Sequence, residues 1–282
     1  MSNPILHAVH TPERIAIYRP GLDSALLTQC ATTDHRPYIH PILAPDGVGE
    51  LTENEPGHHL WQHGLYVGLN DVNGVGFWTE GLTGRKDRDG TFHPQPLLPP
   101  TATADRASWE VTSEWRTPAG EPMLTETQKW SLEDRGDFLV LDMQWHLQAQ
   151  TDLRFGKSSY GGLFLRMPWR EGNGNQLLTS ESAISPHDAE GQRARWVAVA
   201  MPIPGRDTGV AGIALLDHPS NPEHPAPWRV DGNYGIVPSR CIAGEWLLPE
   251  GEVSTNRYRV FAFTGEISHD TIEAEWRQFA AA

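Results

Sequence analysis

Alternation of apolar and polar residues runs through the middle of this chain and is the feature that most constrains its fold. In the segment WEVTSEW, Trp109, Val111 and Trp115 lie on one face, and polar residues lie on the other. Because successive side chains of a strand point to opposite faces of a sheet, this pattern is typical of a half-buried strand. The turn PAGEP follows, and MLTETQKWSL predicts the return strand of a hairpin.

A third long strand is predicted by the segment FLVLDMQWHLQAQ, which follows the turn DRG. We expect the three strands to form an antiparallel meander with one face on a core. The side chains expected to be buried between two sheets are Trp109, Leu141, Met143 and Trp145. Glu126 is expected on the polar face of the second strand, either exposed to solvent or as a carboxylate in a cleft.

Shorter strand candidates are separated by turn residues over the rest of the chain, which has 27 glycines and 23 prolines. They are residues 14–19, 26–32, 38–43, 64–69, 161–167, 195–201, 209–216, 245–248 and 257–263. The stretch 84–103 is rich in proline and polar residues, so we expect a long loop there. Many strands separated by turns indicate a large antiparallel sandwich.

One helix is predicted at the end of the chain. Ser268 can cap its N-terminus, and Ile272, Trp276 and Phe279 share one helical face. We therefore predict an all-β fold, with residues 1–282 forming a single domain: a large antiparallel β-sandwich followed by one C-terminal helix.

Charge and composition exclude several classes of function. The net charge is −14, from 36 acidic and 22 basic residues, and we expect no basic cluster to offset it. Such a field repels phosphate backbones, so nucleic acid is not an expected partner. Neither a signal peptide nor an apolar run long enough to span a membrane is evident. With only two cysteines, Cys30 and Cys241, we expect unbonded thiols and a cytoplasmic protein.

Histidines are concentrated in the segment HHLWQHG, which contains His59, Gln62 and His63. Histidine titrates near neutrality, so such a group suits proton transfer or metal binding. If the segment were one straight strand, His59 and His63 would be about 13 Å apart, which is too far for one ion. The alternatives are a metal site, hydrogen-bonded or surface histidines, and a catalytic or sugar-binding site.

Two other segments combine polar residues with an adjacent apolar strand. In LDHPSNP, Asp217, His218 and Asn221 follow the apolar run VAGIALL, either as a site at a strand end or as an ordinary turn. In FGKSSYGGLFLR, Lys157 and Tyr160 are suited to binding oxyanions or hydroxyls beside glycines. The alternative is a tight turn whose arginine pairs with an acidic neighbour.

These segments together resemble a bacterial family of unknown function often called PmoA-like. The resemblance extends from about Arg36 to Phe263 and is carried, in order, by RPYIHPILAPDG, HGLYVGLNDVNGVGFW, FGKSSYGGLFLRMPW, RARWVAVAMP and IALLDHPSNPEHPAPW. The methane-oxygenase label does not fit, because that subunit is an integral membrane protein. The resemblance implies a fold similar to the galactose mutarotase sandwich and a functional link to sugar dehydrogenases.

In that sandwich, histidines and a carboxylate on a concave face move protons on a sugar. The positions that match by resemblance are His59, His63, Asn73, Arg166, Asp217, His218 and Asn221. Two segments depart from the family pattern. Gln62 and His63 replace a His-Arg pair, and Lys157 and Tyr160 stand where acidic residues are usual.

The resulting prediction is a carbohydrate-active enzyme of the epimerase, isomerase or lyase type, acting on a sugar or an oxidised keto-sugar. The predicted catalytic residues are His63, His218 and Asp217. The predicted substrate-binding residues are His59, Gln62, Asn73, Lys157, Tyr160, Arg166 and Asn221. We expect His59 or His63, Arg166, and Asp217 or His218 to converge on one cleft. No organic cofactor is expected; the alternatives are a non-catalytic sugar-binding protein and a metal-dependent hydrolase.

Overall fold

The computed structural model describes residues 6–172 and 174–282, and within them 20 strands form two antiparallel sheets. We expect no signal peptide at the N-terminus of the chain. Residues 1–5 of that segment lie outside the described residues. The eleven-stranded sheet contains β1 (His7–Thr11), β2 (Arg14–Tyr18), β3 (Leu27–Cys30), β4 (Tyr38–Ile42), β5 (Leu65–Val72), β6 (Val75–Phe77), β12 (Leu153–Phe155), β13 (Gly161–Leu165), β17 (Trp228–Val230), β18 (Ile236–Pro238) and β19 (Trp246–Leu248).

The second sheet has nine strands and includes the long meander. It contains β7 (Thr91–Pro94), β8 (Thr101–Ala102), β9 (Arg106–Arg116), β10 (Pro122–Asp134), β11 (Phe138–Ala149), β14 (Gln176–Thr179), β15 (Trp196–Met201), β16 (Ala211–Asp217) and β20 (Val253–Thr264). Its strand order is β14-β15-β16-β20-β11-β10-β9-β7, with β8 also paired to β9. The order in the first sheet is β1-β2-β3-β4-β5-β13-β18-β17, with β6 and β12 also paired to β5 and β19 paired to β12.

The main core lies between the two sheets. Leu65 and Val67 of β5 contribute to it from one side, and Leu141 and Met143 of β11 from the other. All four side chains predicted to be buried between sheets are buried: Trp109, Leu141, Met143 and Trp145. The predicted large antiparallel sandwich is therefore confirmed, and each of the nine shorter strand candidates overlaps a strand.

The outer face of the nine-stranded sheet is covered by α3 (His269–Ala280), the predicted C-terminal helix. Ser268 caps it by accepting a hydrogen bond from the backbone N–H of Thr271, as expected. Ile272 and Phe279 are buried in a second apolar cluster with outward-facing residues of that sheet, such as Phe261. Two further one-turn helices are described, α1 (Pro186–Ala189) and α2 (Arg240–Ala243).

Two expectations about local structure are wrong. The stretch 84–103 is not one long loop, because β7 and β8 lie within it and add to the sheet edge beside β9. Glu126 is not on a polar face: it is 1% exposed and shares the core face of β10 with Leu124, Trp130 and Leu132. A buried carboxylate needs hydrogen-bond partners, and Glu126 accepts bonds from the indoles of Trp115 and Trp145.

Both cysteines are free thiols in the described part of the chain, as predicted. Burial raises the pKa of Cys241 to about 11, so this thiol stays protonated near neutral pH. No helix within residues 6–172 and 174–282 is long and apolar enough to cross a membrane.

Candidate functional site

Aromatic side chains cluster on the outer face of the eleven-stranded sheet, which α3 does not cover. Tyr66 of β5 and Phe164 of β13 are directly paired across the sheet and point away from the core. Trp78 packs against both, and its ring centroid lies 4.7 Å from that of Tyr160. The rings of Trp78, Tyr160 and Phe164 form one wall of a cavity of about 130 Å³, hereafter the cleft. The cleft is lined by His59, Trp61, Gln62, Trp78, Thr79, Tyr160, Phe164, Arg229 and Asp231.

Arg166 lies directly after β13 and is fully buried beneath the cleft. Its Nε donates to Gln62 Oε1 at 2.6 Å, and its Nη2 donates to Asp231 Oδ2 at 2.7 Å. The remaining Nη1 donates to the backbone carbonyl of Asn233 at 2.7 Å. All three nitrogens of the guanidinium are therefore used by the protein. The fork fixes Gln62 and Asp231, which both line the cleft.

The carboxylate of Asp231 is held from both sides. Its Oδ2 receives the Arg166 hydrogen bond, and its Oδ1 accepts the backbone N–H groups of Asn233 and Gly235, each at 2.9 Å. These hydrogen bonds fix the negatively charged carboxylate of Asp231 in one orientation at the cleft. Such preorganisation is what a binding or proton-transfer site requires.

His63 lies below the cleft and does not line it. It is 4% exposed, with Nε2 at 2.8 Å from Glu80 Oε2 and Nδ1 at 2.9 Å from Asn54 Oδ1. Glu80 is in turn paired with the buried Arg36, whose Nε lies 3.3 Å from Glu80 Oε1. Burial alone would raise the pKa of Glu80, but Arg36 and the His63 hydrogen bond outweigh it and lower that pKa to about 2. With both ring nitrogens occupied, His63 has the environment of a structural histidine.

His59 is the histidine that reaches the cleft. It is half-buried in the turn before β5, and its Nδ1 is buried without a hydrogen-bond partner among the described residues. Burial lowers the pKa of His59, and the nearby charges of Arg166 and His58 lower it further, while Asp231 opposes them. His59 is therefore neutral near pH 7, with a ring nitrogen that can accept a proton.

Of the other residues predicted to bind substrate, Tyr160 lines the cleft, whereas Lys157 and Asn73 do not. Burial raises the pKa of the Tyr160 phenol, which keeps it a neutral hydrogen-bond donor. Lys157 is exposed. Asn73 lies outside the cleft lining, in the turn after β5, where Oδ1 accepts the backbone N–H of Arg154 at 2.7 Å and Nδ2 donates to the carbonyl of Asp152 at 2.9 Å. Its φ of 52° is the left-handed conformation that asparagine tolerates.

Asp217, His218 and Asn221 form a separate cluster at the end of β16. Asp217 accepts hydrogen bonds from Asn221 Nδ2 at 2.7 Å and from the backbone N–H of Ala226 at 3.0 Å, and its Oδ2 lies 2.8 Å from His224 Nδ1. The ring of His218 packs edge-on against Phe279 of α3, with centroids 4.8 Å apart. This cluster satisfies its own polar groups and anchors the C-terminal helix.

The expected convergence of three motifs on one cleft is therefore wrong in its last part. His59, Gln62 and Tyr160 line the cleft and Arg166 lies beneath it, but the cluster of Asp217 and His218 contributes nothing to its described lining. The physical reason is sheet membership. β16 belongs to the nine-stranded sheet, whose outer face α3 covers, whereas β5 and β13 belong to the other sheet.

Several residues of the site were missed by the sequence analysis. They are Arg36, Trp61, Trp78, Glu80, Arg229 and Asp231. Asp231 stands in the segment VDGNYG, which carries only the signal of a turn. Within the described ranges, no group of three or more histidine, cysteine, aspartate or glutamate side chains is placed to hold a metal ion.

A larger groove, of about 740 Å³, lies at the edge of the nine-stranded sheet between β9, β10 and residues 95–101. Its charged residues are Glu110 and Lys129, whose side chains lie 3.8 Å apart as an exposed pair. Without a histidine or an oriented carboxylate, this groove has less chemistry to offer than the smaller cleft.

Comparison with known proteins gives one family and several similar structures. The model of a family described as DUF6807, of unknown function, matches residues 23–277. The comparison with curated proteins found no match.

The similar structures include an α-galactosidase from Lactobacillus brevis, at 12% identity and a TM-score of 0.45, covering 99% of this chain and 42% of that one. A galactose mutarotase-related enzyme from Lactobacillus acidophilus is 9% identical, with a TM-score of 0.39 and coverage of 93% and 100%. An α-galactosidase from Geobacillus stearothermophilus is 10% identical, with a TM-score of 0.38 and coverage of 92% and 41%. This chain thus spans about two fifths of the α-galactosidases.

Proposed function

Since this chain belongs to DUF6807, a family of unknown function, we propose its activity from the cleft: it binds a carbohydrate and performs acid/base chemistry on it. The observation that carries the proposal is the composition of the cleft lining. Aromatic rings of Trp61, Trp78 and Tyr160 stand beside a few fixed polar groups. Aromatic faces suit the C–H surfaces of a sugar ring, and convergent polar groups suit its hydroxyls.

His59 is the group that we propose to transfer the proton. It lines the cleft, and its lowered pKa keeps it in the neutral form that a general base needs near pH 7. Gln62 and the carboxylate of Asp231, both fixed by Arg166, orient sugar hydroxyls, and the Tyr160 phenol donates a hydrogen bond. His63, predicted as catalytic, supports the site from below in this proposal.

The same arrangement serves removal of a proton from a carbon next to a carbonyl, which is common to epimerases, isomerases and many lyases. In the proposed step, the C–H bond breaks, the proton goes to His59, and the electron pair moves into an enolate. The enolate oxygen is stabilised by hydrogen bonds from the cleft. An oxidised keto-sugar supplies the required carbonyl, and this agrees with the expected link to a sugar dehydrogenase.

Exchange of a sugar C–H hydrogen with solvent deuterium tests the proposal without knowledge of the product. The protein is incubated in D₂O with a panel of monosaccharides and keto-sugars, and proton NMR follows each C–H signal. We expect one sugar to lose a single C–H signal. The control is heat-inactivated protein, which should leave all signals unchanged. Binding seen by saturation transfer without exchange would instead favour the non-catalytic sugar-binding protein.

Replacing the proposed base should abolish exchange while leaving the fold intact. We expect His59→Gln to slow deuterium exchange by about 10²–10⁴-fold, the usual contribution of a general base. His187→Gln is the matched control, because the side chain of His187 is 97% exposed. Unchanged exchange in the His59→Gln variant would exclude His59 as the base.

The pH dependence of exchange follows from the direction of the pKa shift. Burial lowers the pKa of His59 below its usual 6.5, and only the neutral ring accepts a proton. The exchange rate should therefore rise as the pH increases through a value below 6.5 and stay level at neutral pH. The measurement is the initial exchange rate between pH 4.5 and 8. A rate that rises only above pH 7 would contradict the assignment.

A further inference from the structure

A second cavity, of about 220 Å³, lies beside the cleft on the same face of the sheet. Its lining residues are Asn70, Asp71, Gly74, Gly76, Arg85, Arg88 and Asp89. Thr79, which lines the cleft, donates a hydrogen bond to Asp89, which lines this cavity. Tyr160 of the cleft also lies within electrostatic range of Arg85 and Asp89. The two cavities are therefore neighbours that share a wall.

The loop that carries the two arginines is held in place at both ends. Asp89 Oδ2 accepts the backbone N–H of Gly81 at 2.9 Å, which closes the loop on itself. The backbone N–H of Gly76 donates to the carbonyl of Arg88 at 3.0 Å, and the N–H of Gly90 donates to the carbonyl of Gly76 at 2.8 Å. Arg85 and Arg88 thus project from an ordered segment at a defined distance from the sheet.

Four basic side chains lie around this cavity, against the carboxylates of Asp71, Asp87 and Asp89. Arg85, Lys86, Arg88 and Lys157 are exposed, and none of them forms an ion pair among the residues that the structure describes, whereas most basic residues of the chain do. Lys157 belongs to this group by position, because the neighbouring Ser158 Oγ accepts a hydrogen bond from Asn70 at 3.4 Å. In a chain with a net charge of −14, such a basic group is a local exception.

The two carboxylates in the cavity keep their negative charge, but among the described residues neither forms an ion pair with Arg85 or Arg88, because each is held by other donors. Asp71 Oδ1 accepts the backbone N–H of Gly74 at 2.8 Å and lies 3.5 Å from Arg154 Nη2. Asp89 Oδ2 accepts hydrogen bonds from Thr79 and from the backbone of Gly81. The guanidinium groups of Arg85 and Arg88 remain for a ligand.

We propose that this cavity is an anion subsite, which binds a carboxylate or phosphate group of the sugar held in the cleft. A guanidinium presents donors in a planar fork that matches both oxyanions, and Arg85 with Arg88 can enclose one from two sides. The substrate class is then an acidic sugar, such as a sugar acid or a sugar phosphate. This inference rests on the proposed function, since it assigns the charge of the ligand of the same cleft.

Calorimetric titration with matched sugars tests the subsite. The pairs are glucose with glucuronate, galactose with galacturonate, and glucose with glucose 6-phosphate, at low and high salt. We expect one acidic sugar to bind at least roughly ten-fold more tightly than its neutral partner, with the advantage falling at high salt. The double variant Arg85→Gln/Arg88→Gln should reduce that ratio to about one, as is typical when charge-assisted bonds are lost.

Arg14→Gln is the control, because it removes an exposed charge that also lacks an ion pair within the described residues, on β2. It should keep the preference for the acidic sugar. If neutral and acidic sugars bind equally to the unmodified protein, the subsite proposal fails while the proposed function stands. If no sugar of either kind binds, the proposed function itself fails. If inorganic phosphate binds as tightly as the sugar phosphate, the sugar ring contributes nothing to binding. That result would overturn the proposal that one ligand occupies both cavities.

Discussion

Replacing Arg166 by alanine should destabilise the protein by about 3–5 kcal/mol, the range expected when one partner of a buried ion pair is removed. The guanidinium is fully buried and donates to Gln62, Asp231 and the carbonyl of Asn233. Without it, the Asp231 carboxylate loses its counter-charge and the Gln62 carbonyl loses its donor. If the proposed function holds, sugar binding should weaken as well, because Gln62 loses its donor and Asp231 keeps only its two backbone hydrogen bonds.

Urea unfolding gives the stability change, and Arg170→Ala is the matched control. Arg170 is four residues away and pairs with Glu53 at 2.9 Å, but its side chain is 57% exposed. Exposed pairs contribute about 0–1 kcal/mol, so this variant should be close to the unmodified protein. Arg166→Lys should recover little, since an ammonium cannot form the three-way fork. Similar losses for Arg166→Ala and Arg170→Ala would contradict the clamp.

Glu126→Ala should also cost roughly 3–5 kcal/mol, through loss of packing and of hydrogen bonds in the core. The carboxyl group accepts hydrogen bonds from the indoles of Trp115 and Trp145 and from the Gln128 amide, at 3.0, 2.8 and 2.8 Å. Alanine leaves all three donors unsatisfied between the sheets. Glu110→Ala is the control, because Glu110 is exposed on the neighbouring strand and should cost less than about 0.5 kcal/mol.

The same carboxyl makes stability depend on pH. Burial raises the pKa of Glu126, against the opposing effect of its three hydrogen bonds. Because the pKa of Glu126 is higher in the folded state than in the unfolded state, its contribution to stability is complete below the pKa of the unfolded state. The contribution declines as the pH rises through the pKa of the folded state. The stability of the unmodified protein relative to Glu126→Gln should therefore fall from pH 4.5 upwards. A relative stability that increases over this range would show that the carboxylate form is the favoured one.

The fold was predictable because alternation at period two is a local signal. Trp109, Leu141, Met143 and Trp145 are in the core, where their spacing places them. The same parity, applied strictly, assigns Glu126 to the core face with Leu124 and Trp130. Its polarity suggested the opposite face. A carboxyl group can be buried there because the indoles of Trp115 and Trp145 and the amide of Gln128 donate hydrogen bonds to it.

The site was less predictable, because it depends on which sheet each strand joins. Polar residues at strand ends are visible in the sequence, but the sequence does not show that β13 pairs with β5 while β16 pairs with β15 and β20. His218 was therefore assigned to a cleft that lies on the other sheet. The segment GRKDR was predicted to be part of a loop, and we expected no basic cluster, but Arg85 and Arg88 line a cavity and form no ion pair among the described residues.

The walls of the cleft come from four distant parts of the chain, around residues 59–62, 78–79, 160–164 and 229–231. No fragment that lacks one of them holds the complete cleft, so a ligand recognises only the assembled sheet. By mass action, such a ligand stabilises the whole fold, by about 2.7 kcal/mol at a concentration one hundred times its Kd. The melting temperature of the protein is thus itself a detector of the correct sugar, before any reaction has been identified.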